Sequence, residues 1–158
     1  DFDKWDTDQL QIEYSIYKKT HPLPYKDLIF EDTFEVVKGL FEKGYRLGLA
    51  SSSTKHDILK ALEETNLKDY FSVILSGEEF EKGKPHPAIY QEARRQLGFS
   101  NAETLVIEDS EKGIQAGVSA DLTVWAIEDN LFDMNQRKAS RLVKNLTQIV
   151  EILEEKTY

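Results

Sequence analysis

The sequence holds four short stretches whose residue types could handle a phosphate group. Asp1-Phe2-Asp3 sets two carboxylates two positions apart, a spacing at which one could attack phosphorus and the other move a proton. Ser51-Ser52-Ser53 offers hydroxyls followed by backbone N–H groups, a combination that suits phosphate oxygens. Lys84, held between Gly83 and Pro85 in what should be a defined turn, offers a point positive charge. Glu108-Asp109-Ser110 follows the apolar run Leu105-Val106-Ile107, and two adjacent carboxylates at the end of a buried strand are costly unless a cation or donors compensate. Hard oxygen ligands of this kind suit Mg²⁺. Each stretch alone has a plainer reading: the serines and Asp109 or Ser110 as helix caps, Lys84 as a solvated loop residue, Asp1 and Asp3 as a polar turn before a helix.

The elements needed to bring these residues together can be read from periodicity. Short apolar runs at 45–50, 71–76, 104–108 and 122–127 read as strands. Between them lie helical patterns: one begun by Asp32 or Thr33 and carrying Phe34, Val37, Leu40 and Phe41, one over 54–64, one after Pro87 with Ile89, Tyr90, Ala93 and Leu97, and one over 111–117. Gly44 stands where a C-terminal glycine is expected. A last helix over 140–154 puts Leu142, Leu146, Ile149, Val150 and Leu153 on one face. A further helix is expected over 7–19, separated from the rest by the proline-broken linker THPLPY. Strands alternating with helices predict an α/β fold, a Rossmann-like parallel sheet with helices on both faces. In such sheets ligands bind at the carboxyl ends of the strands, and the serines, the lysine loop and the acidic pair all fall there. Together they supply a phosphate hydrogen bond, a positive charge and metal ligands, the means by which phosphoryl transfer is mainly catalysed.

Composition narrows the partners. A net charge of −9 argues against nucleic acid and anionic membrane, so an anionic substrate must be held by a few local cations or a metal. No cysteine is present, which excludes disulfides, zinc-thiolate sites and a cysteine nucleophile and fits a cytoplasmic setting. No G-x-G-x-x-G follows a predicted strand, which removes the dinucleotide-binding oxidoreductases. His21, His56 and His86 share no short spacing and read as solvated, as does the acidic turn Glu78-Glu79-Phe80-Glu81. Trp125 and Tyr70-Phe71 read as core.

LGLASSS, KGKPHPAIY and LVIEDSEKGIQAG resemble the second, third and fourth motifs of the haloacid dehalogenase-like superfamily, in its branch of β-phosphoglucomutase and sugar-phosphate phosphatases. The resemblance covers about residues 30 to 130. It implies a Mg²⁺-dependent phosphatase or phosphomutase acting on a small phosphorylated metabolite, and a monomer when complete. By it, Ser51 and Ser52 bind the transferring phosphate, Lys84 neutralises it and braces the nucleophile, Asp109 with Glu108 carries Mg²⁺, and Ser53, Thr54 and Lys55 contact the rest of the substrate. In the mutase the equivalents of Thr54 and Lys55 are lysine and asparagine, a difference that favours a phosphatase. The family's first motif, an apolar strand leading into Asp-x-Asp-Gly, does not match Asp1-Phe2-Asp3, where no such strand precedes and Lys4-Trp5 follows. The resemblance therefore implies a core over 26–158 incomplete at its N-terminal side, with residues 1–25 the end of a helical cap, the first central strand and its nucleophile on an absent segment, and no activity for the segment alone. The alternative is a non-catalytic binding or regulatory domain that has lost the nucleophile.

Overall fold

A computed structural model of the chain describes residue 21, residues 23–130 and residues 132–155. The expected helix over 7–19, the Asp1-Phe2-Asp3 turn and most of the expected cap segment lie outside the described residues. After a one-turn helix α1 (Tyr25–Leu28), the order is α2 (Thr33–Glu42), β1 (Leu47–Ser51), α3 (Lys55–Glu64), β2 (Phe71–Ser76), α4 (Ala88–Leu97), β3 (Leu105–Glu108), α5 (Glu111–Ser119), β4 (Thr123–Ile127), β5 (Arg141–Val143) and α6 (Leu146–Glu155). All strand pairs are parallel, so each connection must cross over, and a helix makes most of those crossings.

The strands form two sheets, β1-β2 and β3-β4-β5, where periodicity predicted one. Helices cover both faces of each. On one side α4 and α5 span the two sheets, joining Val73 and Leu75 of β2 to Val106 and Val124 of β3 and β4 through Ile89, Ala93, Ile114 and Ala116. On the other side Ile58, Leu62 and Leu67 pack with Phe34, Leu49 and Ile74 over β1-β2, while Ile149 packs with Trp125, Ile127 and Val143 over the second sheet. Trp125 is buried, as expected, and Tyr70 meets Phe34 and Phe41 edge to face at 6.1 and 5.4 Å.

Two differences from the sequence expectations concern helix ends. Residues 141–143 belong to β5, so the last helix begins at Leu146 and not near 140. Asn145 accepts from Gln148 N–H (2.9 Å) and marks that start. Asp32, expected to cap its own helix, instead accepts from the Thr147 N–H and hydroxyl (both 2.8 Å) and so caps α6 across 115 positions. Gly44 does end α2 with φ +87°, a conformation glycine adopts without strain.

Candidate active site

The ends of β1 and β3 both reach a cleft of about 580 Å³ lined by Ala50, Ser51, Ser52, Lys84, Glu108, Asp109, Ser110, Glu111, Lys112 and Met134. Lys84 reaches this point from the loop before α4. Its Nζ donates to the Ala50 carbonyl (3.1 Å), the Tyr90 hydroxyl (2.8 Å) and Glu108 Oε1 (2.5 Å), and lies 4.6 Å from the centre of the Tyr90 ring. One ammonium thus ties the end of the first sheet to the end of the second. The side chains of Lys84 and Glu108 are only 9 and 8% exposed, so this is a buried ion pair, tolerable because its remaining groups are also bonded.

Glu108 shows how completely. Oε1 also accepts from Tyr90 Oη (2.5 Å), while Oε2 accepts from the Ser110 hydroxyl (3.0 Å) and the N–H groups of Asp109 and Ser110 (3.1 and 3.2 Å). Burial by itself would push this carboxyl up, but Lys84, Tyr90 and Ser110 outweigh it and hold Glu108 below the usual carboxylate range. Burial and the adjacent Glu108 push the Tyr90 phenol far up, which keeps its hydroxyl a donor. Ser110 meanwhile caps α5 by accepting from Gly113 N–H (3.1 Å). A Cβ at position 113 would overlap the Glu108 carboxyl carbon and both its oxygens, so glycine is needed for this close approach.

Asp109 lies on the cleft side of the same turn. Desolvation first, and the neighbouring Glu108 charge second, raise its carboxyl above the ordinary Asp value. A carboxylate whose charge is disfavoured beside a second carboxylate gains from a cation. Mg²⁺ commonly binds through one or two carboxylates with waters and phosphate oxygens completing its shell, and these oxygens fit that requirement. Glu108 already serves Lys84, Tyr90 and the turn, which leaves Asp109 as the principal ligand this chain would offer. No group of three or more His, Asp or Glu that could hold a metal occurs among the described residues.

The other expected site residues divide. Ser51 and Ser52 line the cleft, and Ser51 Oγ accepts from Ser53 N–H (3.1 Å). The fully buried Ser76 donates to the Ser53 carbonyl (2.7 Å), bracing the turn from β2. Ser53, Thr54 and Lys55 are not among the lining residues. Thr54 caps α3 by accepting from Asp57 N–H (3.2 Å), and Lys55 turns toward β2, donating to Glu79 (2.8 Å) and to the Ile74 carbonyl. The run Glu78-Glu79-Phe80-Glu81 is accordingly more than a solvated turn, since Glu78 also accepts the Lys55 backbone N–H at 2.8 Å. His56 and His86 are exposed, and His86 Nδ1 accepts from Ala88 N–H (3.3 Å) at the start of α4. Sequence reads Tyr90 only as a residue on the apolar face of a helix, and Lys112 and Met134 not at all. Tyr90 carried a usable signal, because its helical apolar position one turn from Pro87 points it under the lysine loop; Lys112 and Met134 carried none.

An open parallel α/β domain with hydroxyls, a lysine and an acidic turn gathered at its strand ends belongs to the Rossmann-like class. Its family follows from direct comparison: residues 2–127 match the haloacid dehalogenase-like hydrolase family, and the chain belongs to it. The chain is 26% identical over 159 residues to the pyrophosphatase PpaX of Halalkalibacterium halodurans, covering 96% of this chain and 74% of that protein. It superposes on a protein of Thermotoga maritima provisionally described as a β-phosphoglucomutase, with TM-score 0.72 and 28% identity, covering 80% of this chain and 60% of the other. A haloacid dehalogenase family hydrolase of Deinococcus radiodurans, solved with phosphate and sodium bound, gives TM-score 0.70 and 26% identity over 80% of this chain and 59% of its own.

Proposed function

We propose that this chain supplies most of the active site of a Mg²⁺-dependent phosphatase or phosphomutase acting on a small phosphorylated metabolite, with a sugar phosphate favoured. The observation that carries the reading is the Lys84 ammonium, fixed between the Ala50 carbonyl and Glu108 at a cleft where Ser51, Ser52 and Asp109 converge. A phosphoryl group there would accept hydrogen bonds from Ser51 and the Ser52 backbone, and Lys84 would neutralise its oxygens. Mg²⁺ on Asp109 would add electrophilic stabilisation of the phosphoryl oxygens. The phosphate-bound Deinococcus relative and the pyrophosphatase relative support phosphate as the recognised group.

The nucleophile this reading requires would be an aspartate carried by an apolar strand between β1 and β3. Each of these strands pairs on one edge only among the described residues, and a cleft of about 910 Å³ lined by Leu47, Leu49, Leu105 and Ile107 lies between them. Attack by that carboxylate would form an O–P bond as the bond from phosphorus to the substrate oxygen breaks, that oxygen leaving as phosphate or, with a proton from the second aspartate of the family's first motif, as an alcohol. Water, or a second hydroxyl of the substrate, would then take the phosphoryl group from the aspartyl-phosphate.

The test is hydrolysis of a panel of sugar phosphates, pyrophosphate and nucleotides by the full-length protein with and without Mg²⁺. Asp109→Asn should abolish Mg²⁺-dependent turnover while leaving stability within about 0.5 kcal/mol, as expected of an exposed isosteric change. Lys84→Ala should lose turnover and also about 3–5 kcal/mol of stability, because it strands the buried Glu108 charge. Turnover unchanged by Asp109→Asn would refute the site. Phosphate binding without turnover of any ester would mark a non-catalytic domain instead.

A further inference from the structure

Gln136 is a buried amide, 8% exposed, in the irregular stretch between β4 and β5. Its Nε2 donates to the carbonyls of Asp109 (2.7 Å) and Ile127 (2.8 Å), and its Oε1 accepts from Asp129 N–H (3.0 Å). Two carbonyls on one side and an N–H on the other fix which way the amide faces. The Asp109 carbonyl and the Ser110 N–H belong to one planar peptide. Its N–H is held on Glu108 Oε2 at 3.2 Å and its carbonyl on Gln136, so both ends are clamped. The clamp reaches one segment further: the Asp129 carboxylate accepts from Met134 N–H (2.9 Å), and Met134 lines the same cleft as Asp109.

We propose that Gln136 is a positioning residue for Asp109, fixing the peptide that aims this carboxylate at a divalent cation and coupling that aim to the Met134 loop. The inference rests on the phosphatase reading of the cleft. Residues that orient a metal ligand from behind typically change metal affinity by about 10–100-fold when removed. Glu108 holds one end of the peptide but is buried in the Lys84 pair, so only Gln136 can be changed without stranding a charge.

Mn²⁺ binding to the full-length protein, followed by electron paramagnetic resonance, reads this directly without turnover. Gln136→Met removes all three bonds at similar volume, and Gln136→Asn keeps a neutral amide but shortens its reach by one methylene, withdrawing it from the Asp109 carbonyl. Each should weaken Mn²⁺ binding roughly tenfold or more, and the Mg²⁺ concentration for half-maximal turnover should rise in step while KM at saturating Mg²⁺ stays unchanged. If Gln136→Met does not fold, Gln136→Asn carries the test. Binding abolished by Asp109→Asn but equal to wild type in a folded Gln136 variant would overturn the inference alone. Binding indifferent to Asp109→Asn would overturn the cation site, and this inference with it.

Discussion

At the scale of single residues, the site is organised around a carboxylate that is not free to react. Glu108 accepts from Lys84, Tyr90, Ser110 and two backbone N–H groups, so its part is to hold the ammonium and shape the turn, while Asp109 faces the cleft. Gly113 makes that arrangement possible by leaving room for the carboxylate against α5. Alanine normally favours a helix interior over glycine by about 1 kcal/mol. Here Gly113→Ala should reverse that sign and destabilise the protein by about 1–3 kcal/mol, the usual range for overpacking. Urea unfolding of the full-length variant checks it, and a neutral or stabilised variant would show that the carboxylate can move aside without loss. The sequence disclosed the lysine and the acidic pair because chemistry chose their residue types. It did not disclose that one of the two carboxylates is consumed internally, since adjacency in sequence does not say which acid faces the ammonium.

At the scale of elements, strands with their own signature were legible and those without were not. Phe71–Ser76 is a six-residue apolar run and was located to the residue. Arg141–Val143 is three residues long, and Leu142 keeps helical spacing with Leu146, Ile149 and Leu153, so it reads as the first turn of a helix. Asn145, the actual cap, was the signal that could have corrected the boundary. Asp32 does stand at the N-cap position of α2, but its side chain serves α6, for a related reason: a capping oxygen is local in sequence only when the helix it caps is its own. The same carboxylate ties α2 to α6 at one end, and the Lys43–Glu154 ion pair ties the two helices at the other. Asp32→Ala should therefore cost about 0.5–2 kcal/mol, as for loss of a helix cap. If α6 rather than α2 is what it caps, hydrogen exchange should quicken at the Thr147 amide, whereas exchange quickened only within α2 would contradict the assignment.

At the scale of the whole molecule, the chain carries a net charge of −9, and under the proposed reading its affinity for anions is confined to the cleft that Lys84 and Lys112 line. The α/β class and the position of that cleft were legible because parallel strands and their crossover helices leave a strong alternating pattern. Periodicity does not disclose the division into two sheets, because it says nothing of which strands are neighbours, but the absent central strand implied by the family resemblance accords with it. Between the sheets, two strands each lack a partner on one edge among the described residues, and Lys84 is the side-chain link across their ends. The central claim is that phosphate is held where those ends meet. Amide NMR of the full-length protein titrated with inorganic phosphate in the presence of Mg²⁺ tests it most directly. The expected result is shifts at Ser52, Ser53, Asp109 and Ser110 that vanish in Asp109→Asn; shifts confined to Lys55 and the 77–81 turn, or none at the strand ends, would contradict the account.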